Sequence, residues 1–234
     1  MKTRVFNLII LDESGSMSCI ERQALTGVNE TLQTIRLAQE KYPEQEQLVT
    51  FVPFQSGSIR FVRDCQSIRE IRDLEPGEYR PGTCTPLYDA IGLSVNHIRK
   101  RVSAVDSVLV TIITDGYEND SKEYSSASIS RLVEEMKGKG WLFTYIGANQ
   151  DAIEVARAIN IHNAMNFVQD ESGTEEMFRK ERKSRERFFR ETVEYCDSIL
   201  CDASPCAAPE EIESRLMEAK RKMARKEDYF EEKD

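Results

Sequence analysis

The sequence predicts an α/β protein with a doubly wound, mostly parallel six-stranded sheet and a helical C-terminal extension. Apolar runs rich in β-branched and aromatic residues alternate with longer stretches of helical period, which is the pattern of a parallel sheet covered by helices. Two runs, 4–11 and 107–114, are almost continuously apolar, as expected for central strands buried on both faces. After about residue 170 the strand pattern stops, and the remaining sequence predicts helix.

The predicted strands cover residues 4–11, 47–54, 59–64, 107–114, 141–148 and 163–168. The predicted helices between them lie near residues 20–41, 86–102, 124–139 and 149–159. Ser-Gly-Ser at 56–58 separates two short apolar runs, so the second and third strands are predicted to form an antiparallel hairpin at one edge of the sheet. These patterns divide the chain into a sheet domain, 1–170, and a helical extension, 171–234.

The extension is predicted to contain two helices separated near "CDASPCAAPE". Large apolar residues recur in it at spacings that allow an apolar stripe: Met177, Phe178, Phe188, Phe189, Val193, Ile199 and Leu200. A freely solvated helix would gain nothing from exposing them, so we expect at least one helix to pack on the domain or bind a partner. The last segment, "RKMARKEDYFEEKD", is charged enough that we expect it to fray.

Composition excludes several classes of function. A net charge of −9 argues against a general nucleic-acid binder. The basic run 179–190 is interrupted by acids, so we interpret it as a solvated helix face with ion pairs and not as a nucleic-acid or membrane surface. No stretch approaches the roughly 18 apolar residues of a membrane span. The six cysteines are sparse for a disulfide scaffold and no export signal is recognised, so we expect a cytoplasmic protein with reduced thiols.

Oxygen-bearing side chains follow the two predicted central strands. In "LDESGSM", Asp12, Ser14 and Ser16 occupy every second residue, and Gly15 permits the tight turn on which they can converge. Asp115 ends the 107–114 strand. In open doubly wound sheets, ligands bind outside the carboxyl ends of central strands, so we expect the two acids to meet there. Carboxylate and hydroxyl oxygens are the ligands that hard cations such as Mg²⁺ prefer.

A third segment, "GTCTPLYDAIG" at 82–92, places hydroxyls just before a helix. Asp-x-Ser-x-Ser after the first strand, a threonine before "PLYDAI", and Thr-Asp-Gly after the fourth strand together resemble the von Willebrand factor type A (vWA) domain with its metal-ion-dependent adhesion site, in its bacterial or phage-like cytoplasmic form. The resemblance covers residues 4–168. It implies the strand order 3-2-1-4-5-6, counted over the six predicted strands, with 59–64 at the antiparallel edge.

The resemblance also implies a function and a set of metal ligands. The ligands it implies are Asp12, Ser14, Ser16, Thr85 and Asp115. Thr85 is preferred to Thr83 because of its distance from the following helix, although the sequence leaves both open. The implied function is non-enzymatic: a Mg²⁺ or Mn²⁺ ion binds a carboxylate of a protein partner. The sequence leaves open the choice between Mg²⁺, Mn²⁺ and Ca²⁺, the partner and the oligomeric state.

Two other functions remain as alternatives. A metal-assisted hydrolase would also use a cation near carboxylates, but we find no Gly-rich phosphate loop, no recognisable general base and no second metal motif. An accessory subunit of an AAA+ type machine is the other alternative. The candidate ligands also have a purely structural interpretation as helix caps or turn residues, because Asp, Ser and Thr are common at those positions.

Histidines and cysteines give weaker signals. Neither His97 nor His162 lies in a metal motif or in register with a serine nucleophile. Cys196, Cys201 and Cys206 are spaced C-x4-C-x4-C, whereas zinc sites usually have tighter pairs and a fourth ligand. We therefore interpret these cysteines as idle thiols near a helix break.

Overall fold

A computed structural model describes residues 3–148, 152–202 and 208–231. Its strands are β1 (Thr3–Asp12), β2 (Gln45–Gln55), β3 (Ser58–Ile59), β4 (Arg63–Ser67), β5 (Ser107–Thr114), β6 (Trp141–Ala148) and β7 (Asn163–Phe167). Its helices are α1 (Glu21–Lys41), α2 (Leu87–Ile98), α3 (Ser126–Lys137), α4 (Ala152–Ala158), α5 (Glu171–Asp202) and α6 (Pro209–Ala224), with short 3-10 helices at Gly15–Ile20 and Ile68–Glu70. None of the described helices is long and apolar enough to cross a membrane.

The strands form one mostly parallel sheet in the order β3-β2-β1-β5-β6-β7, with β4 also paired to β2. The predicted α/β class and strand order are confirmed, and β1 and β5 are neighbouring central strands. The predicted number of six strands is wrong, because the described sheet has seven. The predicted 59–64 strand is divided into the short antiparallel strands β3 and β4. Residues 60–62 belong to neither strand, although the Arg60 and Val62 N–H groups still donate to the Pro53 and Phe51 carbonyls of β2, and the register with β2 shifts between Val49 and Phe51.

Two helical layers cover the sheet because alternate residues of β1 point to opposite faces. Val5, Ile9 and Leu11 belong to a core shared with α1 and α5. Phe6, Leu8 and Ile10 belong to a core shared with α2, α3 and α4. The predicted helices in the first 170 residues are present but mostly shorter, and residues 149–151 of the fourth prediction lie outside the described part.

The extension forms the two predicted helices, and α5 packs on the sheet domain. Met177, Phe178, Phe188 and Phe189 are buried in the same core as β1 and α1. Gly27 allows the close approach, because a Cβ there would lie 2.0 Å from the Phe178 ring. The division of the chain at residue 170 stays a prediction.

Two expectations for the extension are wrong. The basic run 179–190 is not wholly exposed to solvent, because Arg185 is fully buried and contacts β1 and β5 of the sheet. The last segment does not fray over the described residues: Tyr229 is buried, and the Arg187 guanidinium donates to the backbone carbonyls of Asp228, Tyr229 and Glu231. In both cases a guanidinium finds acceptors that are distant in sequence.

Arg185 connects α5 to both central strands. It donates to Asn7 Oδ1 of β1 and to Thr111 Oγ1 of β5, both at 2.8 Å. Its charge is paired within the helix, because Nη2 lies 2.6 Å from Glu181 Oε1. A buried ion pair is strongly destabilising when only one partner is removed, since the other charge is left uncompensated.

We predict that Arg185→Leu lowers the free energy of unfolding by about 3–5 kcal/mol, because it leaves the Glu181 carboxylate buried and unpaired. The double variant Arg185→Leu/Glu181→Leu should recover part of this loss. Arg190→Leu is the matched control: Arg190 is an exposed arginine on the same helix, paired with Glu194 at 3.9 Å, and should change stability by about 0.5 kcal/mol or less. Urea unfolding measures all three. Equal losses for Arg185→Leu and Arg190→Leu would contradict the prediction.

Candidate metal site

The sheet delivers two carboxylates to one edge. Asp12 is the last residue of β1, and Asp115 directly follows β5. These strands are parallel and paired with Leu11 opposite Ile113, so Asp12 is level with Thr114. The Thr114 hydroxyl donates to Asp12 Oδ2 at 2.6 Å. Both acids therefore lie at the carboxyl ends of neighbouring central strands, as predicted.

The turn after β1 brings both serines to these carboxylates. The backbone N–H of Ser14 donates to Asp12 Oδ1 at 2.7 Å. The Ser14 and Ser16 hydroxyl oxygens lie 3.1 Å apart, and the Ser16 hydroxyl donates to Asp115 Oδ1 at 2.7 Å. Four of the five predicted residues are thus joined by a continuous chain of hydrogen bonds.

Thr85 borders the same space. A Cβ at Gly116 would lie 3.0 Å from Thr85 Oγ1 and 3.7 Å from Asp12 Oδ2, so a glycine keeps this space open. The hydroxyl of Thr83 donates instead to Gln55 Oε1 at 3.1 Å and to the Ser56 carbonyl at 3.3 Å. Of the two threonines that the sequence left open, the structure places Thr85 beside Asp12. We call Asp12, Ser14, Ser16, Thr85 and Asp115 the candidate metal site.

The loop after β5 holds Thr85 in place. Asn119 Oδ1 accepts from the Thr85 N–H at 2.8 Å, and the Asn119 N–H donates to the Thr85 carbonyl at 3.2 Å. Glu118 Oε2 accepts from the Tyr88 N–H at the start of α2, at 2.9 Å. Asp89 in turn accepts three backbone N–H groups of the 122–124 segment at 2.8–2.9 Å. The loops that carry Thr85 and Asp115 are therefore fixed to each other.

Glu13 is a third buried carboxylate, which the sequence analysis missed. Arg60 Nη2 lies 2.6 Å from Glu13 Oε1 and 2.8 Å from Oε2, and the Arg80 backbone N–H also donates to this carboxylate. The pairing neutralises Glu13 and attaches the 78–82 segment to the turn after β1. Only two features of the sequence point to this ion pair: Glu13 lies within the motif after the first strand, and Arg60 lies in the predicted hairpin.

Gln169 is a second residue that the sequence analysis missed. It follows β7 and precedes α5, and its Nε2 donates to Asp115 Oδ2 and, at 2.9 Å, to the Ser16 carbonyl. No motif marks this position, because the contact joins residues that are far apart in the chain.

Asp12 and Asp115 are buried without a compensating basic side chain. Burial raises the pKa of Asp12 to about 6, opposed in part by the hydrogen bonds from Thr114 and Ser14. Burial also raises the pKa of Asp115. Among the described residues neither acid pairs with Lys, Arg or His. Two buried acids and three neutral hydroxyls form an all-oxygen donor set that is chemically suited to a hard divalent cation.

Other titratable residues lie in different surroundings. His97 contacts Asp64 at 2.9 Å, and His162 contacts Glu227. Cys196 is partly buried and Cys201 is exposed, both as free thiols, while Cys206 lies outside the described residues. No group of three or more His, Cys, Asp or Glu side chains able to hold a metal is found in the described ranges.

Comparison with known proteins supports the fold. No protein-family model matches the chain, and no curated protein matches it in sequence. Its structure resembles the PilB minor pilin from Streptococcus sanguinis, with a TM-score of 0.57 and 11% identity over 81% of this chain and 63% of that one. It also resembles the SpRpn10 VWA domain, with a TM-score of 0.51 and 10% identity over 75% of this chain and 93% of that one.

A third similar structure is the pilus adhesin SpaC from Lactobacillus rhamnosus GG, with a TM-score of 0.57 and 12% identity over 80% of this chain and 31% of that one. The chain therefore spans less than two thirds of PilB and about a third of SpaC. At these identities the likeness shows a vWA-like α/β fold, and it leaves the metal site, the cytoplasmic location and the partner as predictions.

We predict that Asp12 makes the chelator-treated protein less stable as pH rises from about 4 to about 6. Its contribution to the free energy of unfolding falls over this range. The pKa of Asp12 is about 6 in the folded state and 3.8 in the unfolded state, so ionisation of Asp12 in this window favours unfolding. The contribution is on the order of 3 kcal/mol, at about 1.4 kcal/mol per pKa unit.

Denaturant unfolding between pH 4.5 and 7.5 measures this contribution as the difference between the wild type and Asp12→Asn. The variant should gain stability relative to the wild type as pH rises, because it lacks the titrating group. Glu21→Gln, which removes an exposed carboxylate outside the candidate metal site, is the control and should follow the wild type. A constant difference between Asp12→Asn and wild type at every pH would show that Asp12 does not titrate as described.

Proposed function

We propose that this chain is a divalent-cation-dependent protein-binding module and not an enzyme. Asp12, Ser14, Ser16, Thr85 and Asp115 would hold a Mg²⁺ or Mn²⁺ ion. The observation that carries the proposal is the convergence of two buried carboxylates and three hydroxyls, with no basic side chain beside the carboxylates in the described structure. When bound, the ion supplies an electrophilic position for an oxygen ligand from another molecule.

The charge of the donor set favours an anionic ligand. Serine and threonine hydroxyls are neutral, so at most two carboxylates oppose the dication. Glu13 does not add to this charge, because Arg60 pairs with it. Because two carboxylates at most cancel the charge of the dication, the ion can still attract another carboxylate. On protein surfaces this group is supplied mainly by Asp and Glu side chains. A partner with an exposed acidic residue therefore fits the site.

Exposed apolar side chains near Asp115 support a protein partner. Tyr117 is 57% exposed and lies two residues after Asp115. Val168 is 64% exposed and precedes Gln169, which contacts Asp115. Aromatic and apolar residues exposed beside a polar site are typical of protein interfaces. We therefore propose that apolar side chains surround the acidic residue on the surface of the partner.

The fold is compatible with a protein-binding role but does not determine it, because one fold hosts many functions. SpaC is named as a pilus adhesin, so at least one similar structure belongs to a binding protein. The analogy supports binding and says nothing of the partner of this chain. A cytoplasmic location and a role beside an AAA+ type machine stay predictions.

We predict that titration of the chelator-treated protein with MgCl₂ or MnCl₂ in a calorimeter gives saturable one-site binding. Asp12→Ala and Asp115→Ala should abolish it, because each removes one of two anionic ligands. Glu21→Ala, which removes an exposed carboxylate, should bind as the wild type does. A parallel titration with CaCl₂ identifies the preferred cation. Absence of binding in the wild type, or unchanged binding in Asp12→Ala, would contradict the proposed site.

We predict that a purified partner binds in Mg²⁺ and is released by EDTA. Tyr117→Ala should weaken this binding about tenfold, because tyrosine is enriched among the few residues that carry most of the binding energy of an interface, while leaving the Mg²⁺ affinity unchanged. Leu37→Ala, which truncates an exposed apolar residue on α1, is the matched control and should have no effect. Surface plasmon resonance measures each affinity. Partner binding of equal strength without metal would rule out the proposed mechanism.

A further inference from the structure

Strand β7 forms an open edge of the sheet. It pairs with β6 on one side, and no other strand of the described residues pairs with it on the other side. The backbone groups that face away from β6 can therefore bind a further strand. Natural proteins commonly protect such an edge with charged residues, with proline or with a very short strand, because an exposed edge is a template for pairing with another chain.

The two edges of this sheet differ in that protection. At one edge, β3 has only two residues, and β4 carries the charged residues Arg63 and Asp64. At the other edge, β7 has the sequence Asn-Ala-Met-Asn-Phe, which contains neither a charge nor a proline. Five residues is an ordinary length for a strand. Only the β7 edge is thus suited to pairing with another strand.

A groove with an apolar floor lies beside β7. Met165 and Phe167 of β7 face the core that contains α5, and Met177 of α5 lies next to them. Phe167 and Met177 are buried, whereas Met165 is only partly buried. Glu176 and Lys180, one helical turn apart on α5, border the same groove and are partly exposed. An added strand would cover Met165 and come close to both charges.

The distribution of charge favours a second copy of this chain as the occupant. The chain has a net charge of −9, so two copies repel each other over most of their surfaces. The groove is locally neutral, because its border carries one acid and one base. Glu176 binds Arg179 within the helix at 2.7 Å, whereas Lys180 Nζ lies 3.9 Å from Glu176, beyond hydrogen-bond distance. The ammonium group of Lys180 can therefore accept another carboxylate.

The two charges are arranged as a two-fold interface requires. In such an interface, if one residue contacts a second residue of the other copy, the second contacts the first in return. Two α5 helices that approach in antiparallel orientation place each Glu176 beside the Lys180 of the other copy. The same opposite-charge contact then forms twice.

A single axis can serve both the strands and the helices. Counted from the turn that joins β7 to α5, Met165 lies about 10 Å down the strand, at about 3.3 Å per residue from Val168. Residue 178, midway between Glu176 and Lys180, lies about 10 Å down the helix, at about 1.5 Å per residue from Glu171. The centre of the strand and the centre of the charge pair are therefore level.

We propose that β7 pairs antiparallel with β7 of a second copy, so that the chain forms a two-fold dimer with one continuous sheet. Backbone hydrogen bonds join the two strands, the two grooves face each other, and two Glu176–Lys180 pairs form across the axis. Antiparallel pairing turns the carboxyl edges of the two sheets in opposite directions. The two candidate metal sites then face away from each other.

This orientation has a consequence for binding, which, unlike the dimer itself, rests on the proposed function. Two sites that face in opposite directions cannot both engage one flat surface, so the dimer gains no avidity there. It links two partner molecules instead.

The test is a charge exchange in the full chain, measured by sedimentation over a wide range of protein concentration. The wild type should pass from monomer to dimer as concentration rises. Lys180→Glu and Glu176→Lys should each raise the dimer dissociation constant about tenfold, because like charges replace opposite charges twice. An equimolar mixture of the two variants should recover the dimer, since every contact again joins opposite charges.

The matched control is Lys100→Glu, which changes the net charge by the same amount as Lys180→Glu. Lys100 is an exposed lysine that follows α2, so its variant should dimerise as the wild type does. Hydrogen exchange then locates the interface. At high protein concentration, amide exchange in the 164–167 segment should slow in the wild type and in Lys100→Glu, but not in Lys180→Glu. Melting verifies that each variant is folded.

Three outcomes would overturn the proposal. The first is a wild type that stays monomeric at every concentration. The second is a dimer that is unaffected by the charge variants or leaves the 164–167 amides unprotected, because such a dimer uses another surface. The third is a monomer in which these amides are protected only when a purified partner is added, because the edge then accepts a strand of that partner. Loss of Mg²⁺ binding would overturn the proposed function and leave the dimer standing.

Discussion

Asp12 and Asp115 are held out of water at the carboxyl edge of the sheet, and no basic side chain of the described structure pairs with them. Burying a carboxylate is costly unless it is hydrogen-bonded and paired. Here the hydrogen bonds are supplied by Ser14, Ser16, Thr114 and Gln169, while the opposite charge is not. The neighbouring Glu13 has the same degree of burial and does have its arginine. One turn thus contains one carboxylate that is paired with an arginine and another that has no such partner, and this difference is the physical reason for proposing Asp12 and Asp115 as metal ligands.

The loops around these acids are fixed to one another through their backbones. The Gly15 N–H donates to the Thr83 carbonyl at 2.8 Å, and the Gly82 N–H donates to the Glu13 carbonyl at 2.9 Å. Asn119 fixes Thr85 by two further hydrogen bonds. The candidate ligands therefore come from three segments that share one framework, which is the arrangement that holds a binding site in place before its ligand arrives.

Sequence patterns predicted the parts of this protein that depend on local or periodic information. The continuous apolar runs predicted β1 and β5 as central strands, and the polar residues that end them predicted which side chains would meet. The division of 59–64 into two short strands was not predictable, because the register shift with β2 between Val49 and Phe51 leaves no sign in the apolar pattern. The contact of Gln169 with Asp115 spans 54 residues and leaves no mark on hydrophobic periodicity. Tertiary packing determines such contacts, and the pattern of residue types along the chain carries no information about them.

The buried Arg185 is the instructive case, because the sequence did contain a trace of it. Asn7 and Thr111 are polar exceptions within the two almost continuously apolar strands, and they are the residues that accept from its guanidinium. Asn7 also donates to Gln47 Oε1 at 3.0 Å, and Thr111 receives the Thr144 hydroxyl at 3.3 Å, so a polar layer crosses four strands of the sheet. Directional bonds of this kind fix the register of α5 more narrowly than apolar contact does. Because β1 and β5 carry Asp12 and Asp115 at their ends, the same two strands determine both where α5 docks and where the candidate site forms.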